Sequence, residues 1–325
     1  MGTLKNIIYR NKLKSLRHYR MVQWAYNFLN RKNLSHLPEL YRKLGLKRSH
    51  LSTLQFEDLK HIQLEVSNIE DGNLVNHPTF SNLSKEHQDE VKRWKEQGYV
   101  HLKNFFSKDE INLMEYKTEN LWNSNKGEWR FGDRRVLSAF EDVETWNFFH
   151  QKEFYSVVSM LLGQEAILVN NISFLRGDAQ PVHSDSFYMS TYPIGKLIGS
   201  WTALEDIHED AGPLCYIPGS HKLPYVTNNT INNCGNFWKT GANGDEDYIL
   251  KVKEIITENK LTPKYHLAQK GDLLLWHANL LHGGSKINDS NKTRKSMVGH
   301  FAGKNSICYH ENSQRPAFRY SKPNN

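Results

Sequence analysis

The sequence predicts a mainly β domain with flanking helices, a sandwich or jelly roll that carries a basic helical extension at its N-terminus. Three observations lead there. Beyond residue 164 the chain breaks into short apolar runs punctuated by Gly, Pro, Asn and Asp, the texture of many short strands, whereas the half before it reads as mostly helical. The charge is unevenly divided. Of 42 Lys and Arg and 35 Asp and Glu, twelve bases and one acid, Glu39, lie in residues 1–50, which leaves 30 bases and 34 acids in the rest. Basicity therefore belongs to the N-terminal segment, and the main domain has no charge signature of a nucleic-acid partner.

At 325 residues and 38% hydrophobic, the chain is long enough to bury a substantial core. With 24% charged residues and no run of about 18 apolar positions, it offers no spanning helix. The opening Met1-Gly2-Thr3-Leu4-Lys5 does not lead into an apolar signal core, so a cytoplasmic location is expected. Cys215, Cys234 and Cys308 are too few and too widely spaced for a disulfide framework or a CxxC zinc site, and read as free thiols.

Taken in order, residues 4–46 mix Lys and Arg with Ile7, Ile8, Leu13, Leu16, Trp24, Phe28 and Leu29, a pattern of one or two amphipathic basic helices. The plainer reading is an extension packed on the main domain with a solvated basic face. Peripheral contact with a membrane surface through residues 1–50 is the alternative. We divide the chain accordingly into a basic, mainly helical extension (1–80) and a main, mainly β domain (81–325).

Residues 81–98 read as a helix, with Ser84 ahead of an acidic first turn and Gly98 suited to a left-handed cap. A short strand, 99–102, follows. Ser107-Lys108-Asp109-Glu110 is a capping box opening a helix to about Trp122. Strands are expected over 166–175, 197–204, 214–217, 272–276 and 296–302. Residues 222–268 interrupt them with a polar stretch and a helical piece from Asp245 to about Asn259, a candidate lid.

Chemistry concentrates in three places. In His183-Ser184-Asp185 an extended chain puts the imidazole and the carboxylate on one face, within reach of one ion. In the stretch from Gly271 to Ser285 a buried strand runs into a turn with two histidines, His277 and His282; either can complete the site, and His282 precedes a Gly pair that permits close backbone approach. In Thr293-Arg294-Lys295-Ser296, Arg294 and Ser296 share a face on which a guanidinium and a hydroxyl can hold a carboxylate. Two histidines and a carboxylate on one face of an octahedral ion are the non-haem Fe(II) oxygenase arrangement, and Arg294 suits the far end of a chelating dicarboxylate.

The succession "GYVHLKNFFSKDEI", "HSD", "GSWTALEDIHEDAGPLCYIPGSHK", "GDLLLWHANLLHGGS" and "TRKS" resembles the phytanoyl-CoA dioxygenase family of Fe(II)/2-oxoglutarate oxygenases over roughly residues 85–310. The resemblance implies a double-stranded β-helix (jelly roll, cupin-like) fold, Fe(II), 2-oxoglutarate and O2 as cofactor and co-substrates, and release of succinate and CO2. It implies His183, Asp185 and His282 as iron ligands, with Arg294, helped by Ser296, on the distal carboxylate and Trp201 lining the co-substrate pocket. The retained Asp185 favours hydroxylation over halogenation. In the preceding strand, Val169-Asn170-Asn171-Ile172-Ser173, Asn171 is assigned to the co-substrate although the sequence does not decide between it and Asn170.

Tyr188, Phe187, Trp238 and His221 are the substrate-pocket candidates, with Tyr192 and Phe237 behind them; the substrate is expected to be a small molecule, a lipid or a glycan precursor. His208 and Cys215 read as a surface loop residue and a buried strand residue. Two other classes compete. A zinc-dependent hydrolase also uses histidines and an aspartate but has no use for Arg294 and Ser296. A non-catalytic jelly-roll binding protein explains fold and charge but leaves the aligned polar residues without a role.

Overall fold

The computed structural model describes residues 14–34, 38–60, 74–129, 134–242 and 244–324. Its framework is a seven-stranded antiparallel sheet in the order β1-β9-β6-β11-β4-β3-β2, formed by β1 (Tyr99–Leu102), β2 (Glu128–Trp129), β3 (Arg134–Val136), β4 (Ala166–Phe174), β6 (Leu197–Ala203), β9 (Leu273–His277) and β11 (Ser296–Gly303). Two three-stranded sheets complete the double-stranded β-helix: β10 (His282–Gly284), β7 (Leu214–Tyr216) and β8 (Lys264–His266), and β13 (Arg315–Pro316), β12 (Ile307–His310) and β5 (Ser190–Tyr192).

Strand periodicity sorts the side chains of the large sheet into two layers. Leu273 and Leu275 of β9, with Met297 and Phe301 of β11, face the helices and join Phe154, Val157 and Val158 in the largest apolar cluster. Leu274, Trp276 and Val298 face the other way and pack with Trp201, Leu214 and Tyr216 inside the β-helix. The second layer encloses the site.

Local signals place the helices. Ser107 accepts from the Glu110 N–H while the Glu110 carboxylate accepts from the Ser107 N–H, so the expected capping box starts α2 (Lys108–Leu121); α1 is Arg20–Leu29. Residues 81–98 are not one helix. Ser84 caps Lys85–Val91, a break at Lys92–Arg93 follows, and Trp94–Gln97 ends on Gly98 in the left-handed conformation. α3 (Lys152–Leu162) likewise ends on left-handed Gly163 and covers the sheet with its apolar face.

The N-terminal segment is packed on the β domain. Asn27 donates to Leu51 O, Leu34 pairs with Phe318, and Tyr41, Leu54 and Leu59 share a cluster with Tyr192, Ile307 and Tyr309. The basic stretch 4–13 lies outside the described residues. The 222–268 stretch is less of a lid than expected, because residues 264–266 are β8 and its helix, Gly244–Glu258, buries Tyr248 and Val252 against Phe187, Ile217 and Leu281. Among the described residues no helix is long and apolar enough to cross a membrane.

Candidate metal and co-substrate site

His183 and His282 meet as an isolated antiparallel pair. Each donates its N–H to the other's carbonyl at 2.8 Å, and one such backbone exchange sets both side chains on the same side. The rings stand 4.5 Å apart. Close approach depends on the glycines that follow: a Cβ on Gly283 would lie 2.8 Å from Gln180 O, and one on Gly284 2.9 Å from Ala179 N.

Both imidazoles are oriented from behind. His183 Nδ1–H donates to Pro181 O and His282 Nδ1–H to Leu280 O, each at 2.9 Å. With the proton held at Nδ1, Nε2 presents its lone pair. Both Nε2 atoms address one carboxylate oxygen, Asp185 Oδ1, at 3.9 and 3.7 Å. One donor atom from each of the three buried residues lies within 4.8 Å of the others, a spacing that suits a single ion.

The chain is not extended through Asp185. It is extended at Ser184 and turns there into α4 (Asp185–Tyr188), with Asp185 as the first helical residue. The turn is held by the helix of the inserted stretch, α5 (Gly244–Glu258), whose Tyr248 Oη accepts from the Ser184 N–H at 2.6 Å. The second Asp185 oxygen is taken up by groups the sequence reading missed. Trp276 Nε1–H donates to Oδ2 at 2.7 Å, and His300 Nε2 lies 3.5 Å from it, which leaves Oδ1 for a metal. The available signal was parity: Trp276 and His300 occupy inward positions of β9 and β11.

Burial pushes the His183 imidazole down to about 4, with His282 adding to the effect, so it is neutral at pH 7. Burial also opposes ionisation of Asp185, but the His300 and His282 imidazoles outweigh it and hold the carboxyl well below the usual range. His277 is elsewhere. One residue past Trp276 it faces the opposite side of β9, where it accepts from the Asn279 N–H and packs on Trp94 and His221.

A cavity of about 1250 Å³ opens beside this cluster. Arg294, 2% exposed, lies in its wall over the Phe174 ring; Nη1 donates to Gly212 O at 3.1 Å and Nη2 is 3.8 Å from Asp178 Oδ1. Its Nε–H finds no acceptor among the described residues, and neither does the Nε1–H of Trp201 in the same wall. Two buried, unmatched donors fit an anionic ligand that would accept from them. Asp178 is shared with Arg134, so this end of the cavity holds two guanidinium groups and one carboxylate.

Several expected contacts fall elsewhere. Asn171 turns to the helix side, where Oδ1 accepts from the Ala139 N–H and Nδ2 donates to Ser138 Oγ, and Asn170 lines the cavity instead. The Ser296 hydroxyl is satisfied by Arg294 O and does not reach the cavity wall. Phe187 is buried in a stack on Tyr248, whereas its neighbour Tyr188 lines the cavity. His221 donates through Nε2 to Lys95 O on the far side of β9, and Trp238 and Phe237 are on the surface. Tyr192 packs with Tyr41. Gln23 and Tyr26 of α1, assigned no role from the sequence, form part of the cavity's outer wall.

A family model described as phytanoyl-CoA dioxygenase matches residues 94–296, more than half of the chain and a span that includes His183, Asp185, His282 and Arg294. The chain belongs to the phytanoyl-CoA dioxygenase family. Relatives in this family include the peroxisomal phytanoyl-CoA dioxygenase of Bos taurus, 27% identical over 53% of this chain and 50% of that protein, and that of Mus musculus, 24% identical over 67% and 68%. The match to the bovine protein thus spans half of the relative's length. Among solved structures, the non-heme alpha ketoglutarate dependent carbocyclase SnoK from nogalamycin biosynthesis aligns with a TM-score of 0.55 at 17% identity, covering 71% of this chain and 88% of its own. EctD from S. alaskensis with 2-oxoglutarate and 5-hydroxyectoine aligns at 0.51 and 16%, covering 68% and 76%. At these identities the likeness shows the shared fold.

Proposed function

We propose that this protein is an Fe(II)- and 2-oxoglutarate-dependent dioxygenase that hydroxylates a small-molecule or lipid-like substrate, with release of succinate and CO2. The observation that carries the reading is the convergence of two oriented imidazole Nε2 atoms and Asp185 Oδ1 beside a buried arginine with an unmatched N–H. When bound, Fe(II) and 2-oxoglutarate supply the oxidising chemistry that activates O2.

The chain's own part is positioning. His183, Asp185 and His282 would hold the metal on one face and leave the opposite face open. Trp276 and His300 keep Asp185 to a single donor oxygen. Arg294 would clamp the distal carboxylate of 2-oxoglutarate, with Trp201 donating to the same ligand and Phe174 excluding water beneath the guanidinium. Tyr188, Gln23 and Tyr26 line the space left for a substrate. No side chain is asked to act as a general acid or base.

Protein loaded anaerobically with Fe(II) should develop a weak visible charge-transfer band on addition of 2-oxoglutarate, and should form succinate when O2 is admitted. His183→Ala and His282→Ala should abolish the band, and His277→Ala should keep it. A band that survives His282→Ala but not His277→Ala would refute the ligand assignment, and the absence of any band from the wild type would refute the reading.

A further inference from the structure

We propose that α1 and the adjoining loop around Phe237 form a docking face for an anionic lipid bilayer, placed at the outer wall of the cavity. Helix α1 has two faces. Val22, Gln23 and Tyr26 turn toward the cavity, while Met21, Trp24 and Phe28 form a stripe on the other side, with Trp24 and Phe28 stacked at 5.5 Å. Met21 is 74% exposed, and Leu16 and Leu29 extend the stripe.

A distant segment completes the face. The Arg20 N–H donates to Trp238 O at 2.9 Å, Tyr19 pairs with Lys239, and the Thr240 N–H donates to His18 O. These contacts hold Phe237, 81% exposed, and Trp238, 62% exposed, next to the helix. Seven of the thirteen large apolar side chains exposed among the described residues therefore come from two short segments fastened to each other. Such clustering is uncommon on a surface with no partner.

Charge selects the partner. Residues 14–34 and 224–243 contain no Asp or Glu, and Arg17, Arg31, Lys32 and Lys239 stand close to the apolar side chains in sequence. Two of these cations lie over aromatic rings, Arg31 over Phe28 at 4.6 Å and Lys239 over Tyr19 at 4.4 Å. The acids that follow, Asp245 and Glu246, line the cavity. In sequence, residues 1–13 add Lys5, Arg10 and Lys12 and again no acid. A two-fold dimer through this face would set these cations against their own copies. Aromatic and aliphatic side chains among basic ones instead match the boundary between anionic headgroups and acyl chains. A helix lying in that boundary would turn its inner face to the cavity, so an amphiphilic substrate could pass between bilayer and site. That last step rests on the proposed oxygenase activity; the docking itself does not.

The test uses the full chain without iron or 2-oxoglutarate, so its outcome is separate from that of the enzymatic reading. The protein should sediment with phosphatidylcholine vesicles containing phosphatidylserine and not with phosphatidylcholine alone, and salt should weaken the binding. Tryptophan emission should shift to the blue on binding. The double variants Trp24→Ser/Phe28→Ser and Phe237→Ser/Trp238→Ser, each checked for an unchanged thermal melt, should each bind at least about tenfold more weakly. Arg31→Glu/Lys239→Glu should do the same. Wild-type vesicle binding in both apolar variants, binding abolished only by deletion of residues 1–13, or equal binding to neutral vesicles would overturn the proposal. A concentration-dependent dimer that these variants dissociate, without any vesicle binding, would assign the face to a second copy and overturn it as well.

Discussion

Replacing Arg294 by methionine removes a cation whose Nε–H, unmatched among the described residues, lies at the proposed co-substrate end of the cavity, and it keeps most of the side chain's volume. The structure sets the scale. The guanidinium is 2% exposed, so a carboxylate bound to it would be shielded from water. Charge-assisted hydrogen bonds of this kind are worth about 1.5–3 kcal/mol, which is about 10- to 150-fold in Kd. Collateral damage is small, because Gly212 O loses one donor, at about 1 kcal/mol, while Asp178 keeps its pairing with Arg134. The assay compares two ligands on the Fe(II)-loaded, anaerobic protein: 2-oxoglutarate, and 2-oxopentanoate, which has the same carbon chain without the distal carboxylate. The wild type should prefer the diacid by the stated factor. Arg294→Met should lose most of that preference, keeping only what the Trp201 N–H supplies, and Arg294→Lys should recover part of it. A methionine variant that discriminates as well as the wild type would refute the assignment, and any general loosening of the site cancels in the comparison.

Three further outcomes are expected. Trp276→Phe keeps a ring but deletes the 2.7 Å hydrogen bond to Asp185 Oδ2, so Fe(II) affinity should fall about 10- to 100-fold; unchanged affinity in a metal titration would show that the indole does not position the ligand. In Gly283→Ala the new Cβ meets the Gln180 and Val182 backbone at 2.8–3.1 Å, which cannot swing aside as a side chain would. Urea unfolding should show a loss of about 1–3 kcal/mol, with metal binding lost as the His183–His282 pair is forced apart; full metal affinity would refute this account of the pair. His266, packed near Trp201 and His101, is pushed by burial from 6.5 down to about 3. The folded state thus favours its neutral form, so its contribution to stability is complete above pH 6.5 and is lost as the pH falls toward 3, at up to about 1.4 kcal/mol per pH unit. His266→Gln should flatten that acid limb, and identical slopes for the two proteins would contradict it.

What could be read from the sequence alone shares one property: its physics is local. The Ser107–Glu110 box and the left-handed cap at Gly98 depend on groups within one helical turn. Six of the thirteen strands among the described residues, β1, β4, β6, β7, β9 and β11, followed from apolar runs between Gly, Pro, Asn and Asp. His183 and Asp185 stand close enough in the chain to serve one ion whether Asp185 is extended or, as found, begins a helix. Tertiary structure decided the rest, because the side chains of a strand alternate with a period of two and an offset of one residue moves each to the opposite face. Asn170 rather than Asn171 faces the cavity because β4 carries an extra residue, Val169, where its register against β11 shifts between His300 and Phe301. The same alternation turns Trp276 onto Asp185 and His277 away from it. The meeting of the N-terminal helix with the Phe237 loop needed the whole fold as well, since no short-range pattern links segments so far apart in the chain.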